Sequence, residues 1–105
     1  MLRIYQTALE VIVLLRPVIA ELRRKDPHLA EQLTDASNGV AQCIAEGSYS
    51  RGRNRHALYH RALGSAKESG SCLDIALACG YLESIDPRIR AGLSSVCAVL
   101  YTIVT

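Results

Sequence analysis

Apolar residues recur along the first part of the chain at alternating steps of four and three. The repeating positions are Ile4, Ala8, Val11, Leu15, Val18 and Leu22. This spacing places them on one face of a helix, so the pattern predicts an amphipathic α-helix over residues 2–25. Pro17 lies inside the pattern and lacks the N–H that a helical hydrogen bond needs. Because the apolar rhythm resumes in phase after Pro17, we predict a helix that is kinked there but not broken.

Two Asp-Pro dipeptides mark the starts of later helices. In Asp26-Pro27 and Asp86-Pro87 the aspartate can cap free backbone N–H groups, and proline fits the first helical turn because its missing N–H costs nothing there. The apolar spacing that follows each dipeptide is again helical. We therefore predict helices over residues 27–47 and 87–104.

A further helix is predicted over residues 54–79, with Asn54 as its N-cap and Ser48 to Gly52 as the turn before it. Its middle is built from small residues, namely Gly64, Ser65, Ala66, Ser69, Gly70 and Ser71. Each interior glycine costs about 1 kcal/mol of helix stability relative to alanine. We therefore expect another helix to approach closely at this point.

Four helices with short connections favour antiparallel neighbours, so the predicted fold is all-α, an up-down-up-down antiparallel four-helix bundle. The 105 residues suit a single domain, 1–105. Hydrophobic residues make up 50% of the chain, yet Trp and Phe are absent, so the core must be aliphatic. This apolar content exceeds what a small bundle can bury, which indicates that some of it meets another subunit.

Charge and cysteine content narrow the function classes. A net charge of +2 is too small for binding polyanions through the whole surface, so any nucleic-acid site must be local. The apolar run in residues 9–22 is shorter than the roughly 20 residues that span a bilayer, and no targeting segment is recognised. We expect a cytoplasmic protein with no membrane partner.

The four cysteines form no C-x-x-C pair and are expected to be reduced thiols of the core: Cys43, Cys72, Cys79 and Cys97.

The clearest candidate site is a basic segment around the predicted turn, because no acidic residue lies between Glu46 and Glu68. The candidate nucleic-acid-binding residues are Arg51, Arg53, Arg55, His56, Tyr59, Arg61 and Lys67. Guanidinium groups can bind phosphates, and the rings of Tyr49 and Tyr59 can stack on unpaired bases. In the competing interpretation, the segment is a solvated loop whose arginines pair with Glu46, with Glu68 or with a neighbouring subunit.

Catalytic and metal sites have weaker support. His56 and His60 are four residues apart, so both can face one metal, but Ala57 stands where H-E-x-x-H would have its glutamate. The predicted hairpin sets Glu46 and Glu68 several helical turns apart, as caps or ion-paired residues. We predict no enzyme, no catalytic residue, no metal site and no cofactor. A metal-dependent hydrolase that uses the two histidines and a carboxylate is the least favoured alternative.

Two short motifs resemble a known family. They are Ile44-Ala45-Glu46-Gly47 and the spaced set Gly64, Ser65 and Glu68, with Gln32-Leu33, Arg51 and Ala62-Leu63 in support. The chain resembles, over nearly its whole length, the four-helix bundle proteins first noticed as products of intervening sequences in bacterial 23S rRNA genes. Ala41 and Cys43 depart from the family pattern, which typically has Pro and Asn there. Without Pro, the second helix should be straighter.

The resemblance implies a homo-oligomeric bundle, often a ring-shaped pentamer. The family is also similar to accessory proteins of diversity-generating retroelements, which bind nucleic acid and a reverse transcriptase. The leading hypothesis is a non-enzymatic, homo-oligomeric bundle that acts as a nucleic-acid-binding or scaffold module, with RNA or DNA contacting the basic segment. The alternative is a purely structural or protein-binding oligomer in which the arginines stabilise subunit contacts.

Overall fold

A computed structural model describes residues 2–105 and contains four α-helices. They are α1 (Leu2–Lys25), α2 (Pro27–Tyr49), α3 (Gly52–Ala78) and α4 (Pro87–Val104). The first and third helices each pack against α2 and α4, so the four form a square in cross-section. The molecule measures 42 × 23 × 21 Å, which suits helices of this length at a rise of about 1.5 Å per residue. The predicted four-helix bundle is confirmed.

The helix starts at the two Asp-Pro dipeptides are confirmed in detail. Asp26 Oδ1 accepts a hydrogen bond from the backbone N–H of Leu29 at 3.0 Å. Asp86 Oδ1 accepts one from the N–H of Arg88 at 2.9 Å. Each carboxylate satisfies a helix N–H group that has no partner within its helix. The first helix continues through Pro17 without a break.

The turn between α2 and α3 is shorter than the sequence predicts. α2 continues to Tyr49 and α3 begins at Gly52, so the predicted end at residue 47 and the predicted cap at Asn54 are wrong. Gly52 has φ +58°, a left-handed conformation that glycine adopts without strain, and it lets the chain reverse within two residues. Asn54 Nδ2 instead donates to Ser50 Oγ at 2.9 Å.

The core is aliphatic, as the composition predicts, and its cysteines fall into two groups. Cys43 and Cys72 are buried and Cys97 is half-buried, and burial raises the pKa of all three thiols. A raised pKa keeps a thiol protonated and unreactive. Cys79 is exposed, because α3 ends one residue before it, so its prediction as a core thiol is wrong.

The small residues of α3 include one that makes a close helix contact and one that does not. A Cβ atom added to Gly39 of α2 would lie 3.1 Å from Ser65 Oγ, so the two helices approach closely there. By contrast, a Cβ atom added to Gly64 would have no atom of another element within 4 Å. The expected close approach is therefore confirmed at Ser65 and wrong at Gly64, which lies on the outer face of α3. Across residues 2–105, no helix is both long enough and apolar enough to cross a bilayer.

Candidate nucleic-acid interface

The basic segment lies at one end of the bundle. We call this the turn end, and it comprises the α2–α3 turn, the start of α1 and the end of α4. His56 of α3 lies beside the end of α4, with its Nε2 atom 3.1 Å from the carbonyl oxygen of Val104. The opposite end comprises the α1–α2 turn and the α3–α4 connection, and we call it the paired end for the ion pairs described below.

Arg55 holds the α2–α3 turn together. Its Nε atom donates to the carbonyl oxygens of Gly47 at 3.1 Å and Ser50 at 2.9 Å, and Nη2 donates to that of Ser48 at 3.4 Å. The last carbonyls of a helix have no intrahelical donor and carry a partial negative charge, so a guanidinium stabilises them. Arg55, a predicted nucleic-acid contact, therefore caps α2. The sequence carried no signal for this role, because it depends on where the turn carbonyls point.

Tyr59 is buried and explains one glycine of the family motif. Its side chain is 1% exposed. A Cβ atom added to Gly47 would overlap Cε1 of Tyr59, so the ring packs directly on the α2 backbone. The prediction that Tyr59 stacks on bases is wrong, because the ring fills the space that this glycine leaves. A usable signal existed: Tyr59 lies three and seven residues before Ala62 and Ala66, on the apolar face of α3.

Three side chains of the turn remain open to a partner. They are Arg51, Arg53 and Tyr49, whose side chain is 86% exposed. Within the described part of the chain, neither arginine forms an ion pair. The neighbouring carboxylate of Glu46 instead accepts a hydrogen bond from Gln42 at 3.2 Å. The turn end thus presents two free cations within four residues of an exposed aromatic ring.

The other basic candidates lie on different sides of α3. Burial raises the pKa of the Cys43 thiol on α2, and the positive charge of Arg61 partly offsets this increase. Arg61 therefore lies beside α2. The positive charge of Lys67 partly offsets the raised pKa of Cys97 on α4 in the same way, so Lys67 lies on the side of α3 that faces α4. His56 and His60 stack with ring centroids 6.5 Å apart. The structure therefore does not bring the seven predicted residues into one patch.

The two motif glutamates do not form a site together. Glu46 and Glu68 are both exposed, and no ion pair involving either is found among the described residues. Their interpretation as ion-paired residues is therefore wrong within the described chain, although Glu46 and Arg61 both lie near the Cys43 thiol and influence its pKa. In residues 2–105 no group of three His, Cys, Asp or Glu side chains is close enough to hold a metal ion.

The paired end has the opposite electrostatic character. All four ion pairs of the described residues lie there: Arg90–Asp74 at 2.6 Å, Arg88–Asp86 at 2.7 Å, Lys25–Glu21 at 3.3 Å and Arg23–Glu31 at 3.8 Å. Its cations are therefore largely neutralised by neighbouring carboxylates. Arg24 is an exception, since no ion pair involves it among the described residues, so free positive charge is concentrated at the α2–α3 turn but not confined to it.

A second feature lies on the side of the bundle. A groove of about 670 Å³ runs between α1 and α4, with an apolar lining that includes Val11, Val13 and Ala91. Val13 is 58% exposed and Leu9 is 40% exposed. Apolar side chains clustered in an open groove are typical of surfaces that contact another protein.

The structure is an antiparallel four-helix bundle in which the Tyr59 ring packs on Gly47. Its α2–α3 turn carries arginines that form no ion pair among the described residues. The family model described as 23S rRNA-intervening sequence protein matches residues 1–101, and the chain belongs to that family. It is also similar to a crystal structure described as a protein of unknown function from the S23 ribosomal protein family of Bacteroides thetaiotaomicron. That similarity has 16% identity and a TM-score of 0.83 over 97% of this chain and 98% of the other. No curated protein matches the chain.

Proposed function

We propose that the protein is a non-enzymatic, homo-oligomeric, cytoplasmic bundle that binds RNA or DNA phosphates through the turn end. This proposal rests on the difference in ion pairing between the two ends of the bundle. Arg51 and Arg53 have no carboxylate partner within the described chain, whereas the paired end holds every ion pair found there. Free guanidinium groups on a fixed turn can contact phosphate oxygens in pairs of parallel hydrogen bonds.

The competing interpretation loses part of its support for the same reason. It requires the arginines to pair with Glu46, Glu68 or a neighbouring subunit, and both glutamates lack an ion pair in this chain. A subunit contact or a nucleic-acid partner therefore remains to neutralise these cations. In a ring of identical subunits the turn end is repeated, so weak binding at each copy adds up through multivalency.

A salt titration with matched double variants tests the proposal. Fluorescence anisotropy with labelled nucleic acid should show affinity that is highest at low salt, because bound phosphates release counterions. Arg51→Ala with Arg53→Ala should reduce the slope of log affinity against log salt by about two, roughly one for each lost contact. The control, Arg23→Ala with Arg24→Ala, removes the same charge from the paired end and should keep the slope. Absence of binding at low salt, or equal losses in both variants, would contradict the proposal.

The second candidate function is a structural or protein-binding oligomer, and the α1–α4 groove favours it. Val13→Glu places a charge on an exposed position of the groove, so a single bundle should still fold, while an assembly joined through this groove should dissociate. Ile75→Glu makes the same kind of change at a 49% exposed site on α3 and serves as the control. Light scattering measures the mass. An unmodified protein that scatters as a single bundle would contradict the homo-oligomeric part of both candidates.

The hydrolase alternative has little support from the geometry. The Nε2 atom of His56, one of its two expected metal ligands, lies against the carbonyl oxygen that ends α4. Metal analysis of the purified protein tests this alternative directly, since bound or readily absorbed metal at the histidines would favour it.

A further inference from the structure

The polar groups of the α2–α3 turn are mostly used by the turn itself. Ser48 Oγ donates to the carbonyl oxygen of Ala45 at 2.6 Å, and Ser50 Oγ donates to that of Glu46 at 3.0 Å. The guanidinium of Arg55 binds the carbonyls that follow in the same turn. These hydroxyls and this guanidinium are therefore engaged in fixing the backbone.

The side chain of Tyr49 is the unexplained part of this turn. It is 86% exposed, more than any other large apolar side chain described as exposed in the chain. It lies in the last turn of α2, where capping by Ser48, Ser50 and Arg55 fixes the backbone. A tyrosine ring has only two rotatable bonds, so holding it in one orientation costs little entropy. The turn thus offers an exposed aromatic face two residues before Arg51, on a backbone that these caps hold in place.

We infer that the turn end prefers unpaired, single-stranded nucleic acid over duplex, with Tyr49 as the residue on which a base stacks. This inference rests on the proposed function. In a duplex each base already stacks on its neighbours, so a protein ring reaches its face only by opening the helix. A single strand exposes base faces next to its phosphates, which suits an exposed ring that lies within four residues of two free arginines.

The groups that the turn leaves free also indicate that it binds nucleic acids of different sequence. Specific readout of a base requires donors and acceptors aimed at its edge, whereas every base has a face that can stack. Since the serine hydroxyls of the turn bind its own carbonyls, the ring and the two free guanidinium groups make the main contacts.

Three labelled probes of equal length test the inference at low salt: an oligothymidylate strand, an abasic strand and a blunt duplex. The wild-type protein should bind oligothymidylate more tightly than the other two. Tyr49→Leu keeps an apolar side chain without an aromatic face, and it should weaken oligothymidylate binding about tenfold. The same change should leave binding of the abasic strand and the duplex as it was. Tyr49→Phe should bind all three probes like the wild type.

Tyr81→Leu is the matched control, because Tyr81 lies in the α3–α4 connection at the paired end and undergoes the same chemical change. It should leave all three affinities unchanged. Equal weakening for all probes in Tyr49→Leu, or equal wild-type affinity for strand and duplex, overturns the inference but leaves the proposed function intact. A lower mass with unchanged binding would assign Tyr49 to a subunit contact and also overturns it. Failure of every probe to bind overturns both the inference and the proposed function.

Discussion

The two ends of the bundle carry similar residues in different arrangements. At the paired end, arginines and a lysine lie beside Asp or Glu, with N–O distances from 2.6 to 3.8 Å. At the turn end, Arg55 binds backbone carbonyls, while Arg51 and Arg53 form no ion pair among the described residues. The number of cations at an end therefore says less about function than what each cation touches.

The comparison also separates stability from binding. Exposed ion pairs contribute only about 0–1 kcal/mol each, so the paired end gains little stability from its four. Ion pairing instead changes whether a cation is free to bind a phosphate, because a guanidinium bound to a carboxylate must first lose that partner. The turn end instead leaves charge available and derives its rigidity from backbone caps and from the Tyr59 ring packed on Gly47. Each of these features can be broken separately.

The largest effect on stability is expected where Tyr59 packs on α2. Gly47→Ala places a Cβ atom that overlaps the Tyr59 ring unless the ring moves. Gly64→Ala makes the same change in α3, where the new atom meets no other element within 4 Å. Both variants gain similar helix propensity, so their difference isolates the ring contact. We expect Gly47→Ala to be less stable than Gly64→Ala by about 2 kcal/mol.

Urea unfolding followed by circular dichroism measures this difference. Gly64→Ala should unfold at higher urea than the wild type, because an exposed helical glycine gains about 0.5–1 kcal/mol on replacement by alanine. Equal stability of the two variants would mean that the Tyr59 ring relaxes freely. Gly47 of the family motif would then need another explanation.

Local signals in the sequence predicted most of the fold. Asp26 and Asp86 each cap a helix through atoms within three residues, so the dipeptides alone locate both helix starts. The start of α3 depends instead on Gly52 adopting φ +58°. Asn54 is an equally good capping residue by type, and sequence spacing alone does not decide between the two starts.

The candidate site was harder to predict, because residues of one type have opposite roles. Tyr49 and Tyr59 both lie among arginines, yet one is 86% exposed and the other 1%. The helical phase of Tyr59 relative to Ala62 could have distinguished them. The role of Arg55 could not be found in this way, since its partners are carbonyls brought together only when the turn closes.

A smaller effect is expected when the cap on α2 is removed. Arg55→Ala leaves the carbonyls of Ser48 and Ser50 to water and removes one of two donors from the carbonyl of Gly47, and we expect it to lower the unfolding free energy by about 1 kcal/mol. Arg53→Ala removes the same charge from the same turn, and its expected effect on stability is within about 0.5 kcal/mol. Urea unfolding of the two variants tests this. If Arg53→Ala were as destabilising as Arg55→Ala, charge or helix propensity would explain the loss, and capping would not.

The smallest effect concerns acid sensitivity at the paired end. Hydrogen bonds from the Arg88 side chain, followed by its backbone N–H, lower the pKa of Asp86. A carboxylate with a lowered folded-state pKa contributes stability above its unfolded pKa, about 3.9, and this contribution is lost as pH falls through the lower folded value. Asp86→Asn keeps a capping side chain but cannot titrate. Its stability deficit relative to wild type should therefore be constant near neutrality and shrink below about pH 4.

Urea midpoints measured across this acidic range provide the test, with Asp35→Asn as the control. Asp35 is an exposed carboxylate on α2 that forms no ion pair in the described chain. A deficit of Asp86→Asn that stays the same from neutral to acidic pH would show that Arg88 does not stabilise the charge of Asp86. The short Arg88–Asp86 distance would then reflect proximity alone, and the paired end would differ from the turn end in geometry but not in the energy of its charges.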